Sequence, residues 1–162
     1  MLLKESELDD QDIIQPILGK PYKEPGKLLT ATGSSMYFLK ECTDLKGNPL
    51  PLKRDRMKAI FQRYEKGLLL LLNGSNYQNG IIIPFNSIIH ISLDQNIHRK
   101  KSTPSLISKF ISNLTITKEL ILTIETDFFK AKMTANFGSY NAEVQYFQNF
   151  GLEKKFVFKK VT

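Results

Sequence analysis

Three permanent cations, Arg99, Lys100 and Lys101, stand between His98 and two hydroxyls, Ser102 and Thr103, and Pro104 comes next. Threonine is a good helix cap and proline suits the first helical position. The basic run therefore leads into a predicted short amphipathic helix over residues 104–113, with Leu106, Ile107, Phe110 and Ile111 at helical spacing. Amide donors at such a helix start, with cations around them, could hold a phosphate. The competing reading is a solvated basic loop. A second cationic group is Lys53, Arg54 and Arg56, with Lys46 nearby, in a loop over residues 44–56 that Gly47, Asn48, Pro49 and Pro51 keep from regular structure. Asp55 opposes that charge. Both groups are candidate sites for an anion or a partner surface, and neither contains the pairing that a reaction needs.

Catalytic chemistry finds little footing elsewhere. His90 lies alone in an apolar stretch, where a histidine is more often a hydrogen-bonded or surface residue than a base or a ligand. A reactive thiolate at Cys42 would need an electropositive pocket, so the residue reads as a small, buried or half-buried side chain. One cysteine and two histidines, His90 and His98, do not make the usual four-ligand zinc site. No nucleophile elbow, phosphate-cradling glycine loop, cysteine pair or HExxH occurs, and Gly33-Ser34-Ser35 lacks the Walker spacing and its lysine. No cofactor, no metal and no enzymatic activity are expected. An enzyme would need a site assembled only by the fold, for example a pocket converging on His90 or His98 with a carboxylate nearby. Tyr77 and Phe85, beside Asn-rich turns, could stack on single-stranded nucleic acid. Such residues more often close a core under a loop, so nucleic acid ranks behind the other partners.

The charge is unevenly placed. Lys4 against Glu5, Glu7, Asp9, Asp10 and Asp12 gives residues 1–12 a charge of −4, so with a net of +7 the remaining 150 residues carry +11. That polarity can steer acidic partners to the body, or simply keep it soluble. The start, Met1-Leu2-Leu3-Lys4-Glu5, lacks the apolar core of a secretory signal. No apolar run nears the roughly 18 residues that span a bilayer. A lone cysteine fits a reducing compartment, and a soluble cytoplasmic protein is expected.

The elements that must position these residues are mostly strands. Residues 1–27 read as a polar lead-in on the surface, with one or two helical turns after Asp9 until Pro16 and Gly19 interrupt. Residues 28–162 read as a single β-rich domain. Met36-Tyr37-Phe38-Leu39 and Ala59-Ile60-Phe61 suit strands, and Leu68 to Leu72, bounded by Gly67 and Asn73-Gly74, suits a strand buried on both faces. Two Asn-Gly pairs make residues 73–80 a hairpin loop. Ile81-Ile82-Ile83 stops at Pro84, and the next strand puts Ile89, Ile91 and Leu93 on one face with His90 and Ser92 on the other. Residues 120–125 and 129–134 form a hairpin about Thr126-Asp127. A helix over residues 139–150 carries Tyr140, Val144 and Phe147 on one face and ends at Gly151. Lys155-Phe156-Val157-Phe158-Lys159 adds an edge strand with protective lysines.

The passage Leu68-Leu69-Leu70-Leu71-Leu72 followed by Ile81-Ile82-Ile83-Pro84-Phe85-Asn86-Ser87-Ile88-Ile89-His90-Ile91 resembles the middle of bacterial pleckstrin-homology-like and GRAM-like domains. The closing hairpin and helix, with Tyr140, Val144 and Phe147, are similar to theirs, and the resemblance covers roughly residues 35–150. It implies an α+β, mainly β fold: an antiparallel, partly open barrel of about seven strands capped by the C-terminal helix, here with one short inserted helix. The helix over residues 104–113, the strand after the last helix and the lack of a tryptophan depart from the family pattern. Such domains mostly bind anionic lipids, peptides or proteins and do no chemistry, although fold is a weak guide to function. The expected function is a non-catalytic interaction module that binds an anionic lipid or protein surface through Lys53, Arg54, Arg56, Arg99, Lys100 and Lys101. The alternative is a structural or assembly protein that pairs through an edge strand.

Overall fold

The computed structural model describes residues 1–22, 34–52, 57–73, 78–99, 116–135, 140–148, 150 and 153–160, with no side chain described at 97–99, 116–118, 153 or 160. Among these residues nine strands form one sheet: β1 (Leu2–Lys4), β2 (Tyr37–Thr43), β3 (Lys58–Arg63), β4 (Gly67–Asn73), β5 (Gln78–Pro84), β6 (Ile88–Arg99), β7 (Ile116–Thr126), β8 (Lys130–Ala135) and β9 (Phe156–Lys160). Two α-helices accompany them, α1 (Gln11–Leu18) and α2 (Tyr140–Gln148). The chain is mainly β, as its sequence implies. The expected helix over residues 104–113 lies outside the described residues.

The strand order is β1-β5-β4-β3-β2-β8-β7-β6-β9. Every neighbouring pair is antiparallel except β6 and β9, which run parallel. Strands β5 and β6 stand six places apart in that order, roughly 29 Å in a flat sheet. Yet only residues 85–87 separate Pro84 from Ile88, a stretch of chain that reaches about 15 Å at most. The sheet must curl to bring these two strands together. Inside the curl, Tyr37, Phe61, Leu68, Leu70, Ile91, Leu93, Leu122, Ile124 and Phe147 belong to one continuous buried cluster.

Nine strands exceed the expected seven because the chain adds one at each margin of the sheet, β1 and β9. The N-terminal segment is also more than a surface lead-in. Leu3, Leu8, Ile14 and Leu18 form a second buried cluster with Tyr64, Leu69 and Ile82 on the outer face of β4 and β5. The Asp10 carboxylate accepts the Asp12 N–H at 2.9 Å and caps α1, which runs through Pro16 and ends at Gly19, where φ is 75°. Its hydrophobic stripe covers the outward leucine, which explains why β4 is apolar on both sides: Leu68, Leu70 and Leu72 face the main core and Leu69 faces α1. The second Asn-Gly pair is strand rather than turn, since Asn73 pairs with Gln78 and Gly80 pairs with Leu71. A side chain at Gly80 would occupy the space of Leu8, so glycine serves close packing there.

One face assignment differs from the sequence pattern. The β6–β7 register shifts between Ile88 and His90, a bulge that turns Ile89 outward at 54% exposure while Ile88, Ile91 and Leu93 face the core. An extra residue in one strand inverts the alternation on one side of it.

Candidate functional site

Lys53, Arg54, Arg56, Lys100 and Lys101 lie outside the described residues, and Arg99 closes β6 with only its backbone described. Tyr77, Ser139 and Gly151 lie outside them as well. The frame around the loop of Lys53, Arg54 and Arg56 is defined. Pro49 bridges to Thr43, the Leu50 N–H donates to the Cys42 carbonyl at 3.1 Å, and the Leu39 N–H donates to the Met57 carbonyl at 2.9 Å. Asp44 holds the turn: its carboxylate accepts the backbone N–H groups of Lys46 and Asn48 and the Asn48 side chain, at 2.8–2.9 Å. Those hydrogen bonds, the Asn48 side chain first, hold the Asp44 carboxyl below its usual range. Lys46 is exposed in this turn, and Lys58 is exposed where β3 pairs with Phe38.

Cys42 faces inward among Leu52 and Met57 and is buried. His90 is half-buried on the outer face, opposite Glu125 in the ladder. Among the described residues no three His, Cys, Asp or Glu side chains gather closely enough to hold a metal ion.

A polar concavity on these strands is one the sequence did not flag. Glu41 and Thr43 of β2, Lys130 and Lys132 of β8, Ile121 and Thr123 of β7 and Asp94 of β6 line about 390 Å³ on the outer face of the sheet. The ladder sets the array: Thr43 opposes Lys130, Glu41 opposes Lys132, and Lys132 opposes Thr123. Lys130 Nζ lies 3.4 Å from Glu125 Oε2, an exposed pair that adds little stability. Alternating positions on neighbouring strands brought these residues together, and their separation in sequence hid them. The array offers cations, carboxylates and hydroxyls for binding, and no nucleophile beside a base.

At the other end of β2, Glu143 of α2 is only 3% exposed. It accepts the Ser35 N–H at 3.0 Å and the Tyr37 hydroxyl. Burial first, and then the Glu143 carboxylate, push the Tyr37 phenol above its ordinary value; the same two causes raise Tyr146, whose hydroxyl donates to the Phe61 carbonyl at 3.2 Å. Phe147 packs edge-on against Phe61 at 5.7 Å, and Phe150 stacks on Phe85 at 5.4 Å. The Arg63 guanidinium sits between the rings of Tyr22 and Phe150, 3.6 and 4.7 Å from their centres. This polar and aromatic assembly fastens α2 over the core. Comparison with known proteins gives no match: no family model fits the chain, and no curated protein and no solved structure is similar to it.

Proposed function

We propose that the chain is a non-catalytic interaction module with a pleckstrin-homology-like barrel, which engages an anionic surface through its basic loops. The central run β5-β4-β3-β2-β8-β7-β6 supports the fold reading: it is antiparallel throughout, curls on itself, and is followed in the chain by a helix packed against the curl. The two outer strands, β1 and β9, are additions to that plan.

The observation that carries the functional reading is the separation of α2 from the basic loop. Glu143 grips β2 at Ser35 and Tyr37, whereas the loop that contains Lys46, Lys53, Arg54 and Arg56 leaves β2 after Thr43, roughly 20 Å further along the strand. Lys46, in the turn that follows Thr43, therefore lies toward the end of β2 away from Glu143. Lys46 is exposed there, on a body carrying +11. Cations at such an end attract phosphate headgroups, each contributing on the order of 1 kcal/mol near an anionic membrane.

Co-sedimentation with phosphatidylserine-containing vesicles tests this reading against neutral phosphatidylcholine vesicles. Binding to the anionic vesicles at low salt, weakened at moderate salt and lost on combining Lys53→Glu, Arg54→Glu and Arg56→Glu, is expected. Absence of sedimentation at both salt concentrations removes the lipid form of the proposal.

A further inference from the structure

We infer that the free edge of β9 is a docking site for an extended acidic segment of a partner protein, added to the sheet as a further strand. Strand β9 ends the sheet order and pairs on one side with β6, from Ile91–Phe156 to Gln95–Lys160. Among the described residues no strand pairs with its other side, which leaves its backbone donors and acceptors without a strand partner there, the template that strand addition uses. The edge is held in place. Phe156 is buried beside Phe147, the Phe156 and Phe158 rings stack at 5.5 Å, and the Lys155 ammonium donates to the carbonyls of Phe85 and Ile88. A partner strand would meet a fixed template and would lose little free energy in ordering it.

Side chains along the edge specify the occupant. Val157, 43% exposed, and Lys159 share the outer face, while Phe158 lies half-buried on the other. Lys154 and Lys159 are exposed and make no ion pair among the described residues. An added strand would place an apolar residue beside Val157, a carboxylate beside Lys159 two positions away, and an apolar residue against Phe158. A second copy of this chain fits poorly. Pairing two β9 edges would gather the lysines of both along one seam, and the chain's own acidic run, Glu5 to Asp12, is folded into a turn and the start of α1. Opposite charge thus favours a different protein with an extended, acidic and apolar segment. Strand pairing requires no anionic membrane, so this inference stands apart from the vesicle reading.

The test uses the full chain and a fluorescein-labelled peptide, Glu-Glu-Val-Phe-Val-Glu-Glu, with fluorescence anisotropy as the readout. Saturable binding is expected, weakened about tenfold by Lys159→Glu and by raising the salt. Val157→Lys, at an exposed position, should weaken it comparably, and the combined Lys53, Arg54 and Arg56 reversals should leave it unchanged. On binding, amide exchange should slow in β9. Failure of the acidic peptide to bind, equal binding of a Lys-for-Glu peptide, or indifference to both β9 variants would overturn the inference.

Discussion

Glu143, on α2, is buried against the hydroxyl of Tyr37, a residue 106 positions earlier that opens β2. The same carboxylate accepts the Ser35 N–H, so one side chain fastens the helix to the first strand of the main core. Glu143→Ala should leave both donors unpaired in a dry site and cost about 2–3 kcal/mol. Glu143→Gln, which keeps an acceptor, should cost roughly half as much. Urea denaturation of the three proteins checks this, and equal stability of wild type and Glu143→Ala would contradict it.

The tyrosines give a pH dependence. Tyr37 and Tyr146 are raised above the ordinary value of 10 by burial and by Glu143, so the folded chain retains phenol protons that the unfolded chain releases. Their contribution to stability is complete below pH 10 and is lost as pH rises beyond it. Thermal melts from about pH 8 to about pH 11 should show Tm falling at the alkaline end. Tyr37→Phe, which has no proton to release, should fall less steeply.

The bulge in β6 predicts unequal neighbours. Ile89 is exposed and Ile91 is fully buried. Ile89→Lys should change stability by no more than about 0.5 kcal/mol. Ile91→Ala should cost about 2–5 kcal/mol. A large loss at Ile89 would mean that the strand keeps unbroken alternation.

The N-terminal segment should behave as part of the fold. Ile14 and Leu18 are fully buried, and Leu18 packs where a side chain on Gly67 would otherwise lie. Leu18→Ala should cost about 2–5 kcal/mol. The same truncation at Ile17, which is exposed, should be nearly neutral. Hydrogen exchange in β4 and β5 should accelerate only in the Leu18 variant.

Sequence by itself determined the strand-rich class, the β4–β5 and β7–β8 hairpins, the final helix and the late edge strand. Short apolar runs ended by glycine, proline and asparagine are local signals, because turn chemistry and side-chain alternation act over a few residues. It also marked the five leucines of β4 as buried on both faces, although what covers the outer one lay in a segment that reads as polar. The N-terminal segment shows why: Glu5, Glu7, Asp9, Asp10 and Asp12 dominate its start, while Ile14 and Leu18 of α1 acquire meaning only against Leu69 and Ile82.

Only the tertiary structure decided the rest. The curl follows from a three-residue connection between strands that stand far apart in the sheet order, and no local pattern encodes that order. The bulge depends on β7, whose register turns Ile89 outward. Glu143 reads as an ordinary polar position on a helix, and its partners become visible when Ser35 and Tyr37 arrive from more than a hundred residues away. The outer-face array of Glu41, Lys132, Thr123 and Asp94 has the same origin, since adjacency across a sheet joins residues that sequence separation keeps apart.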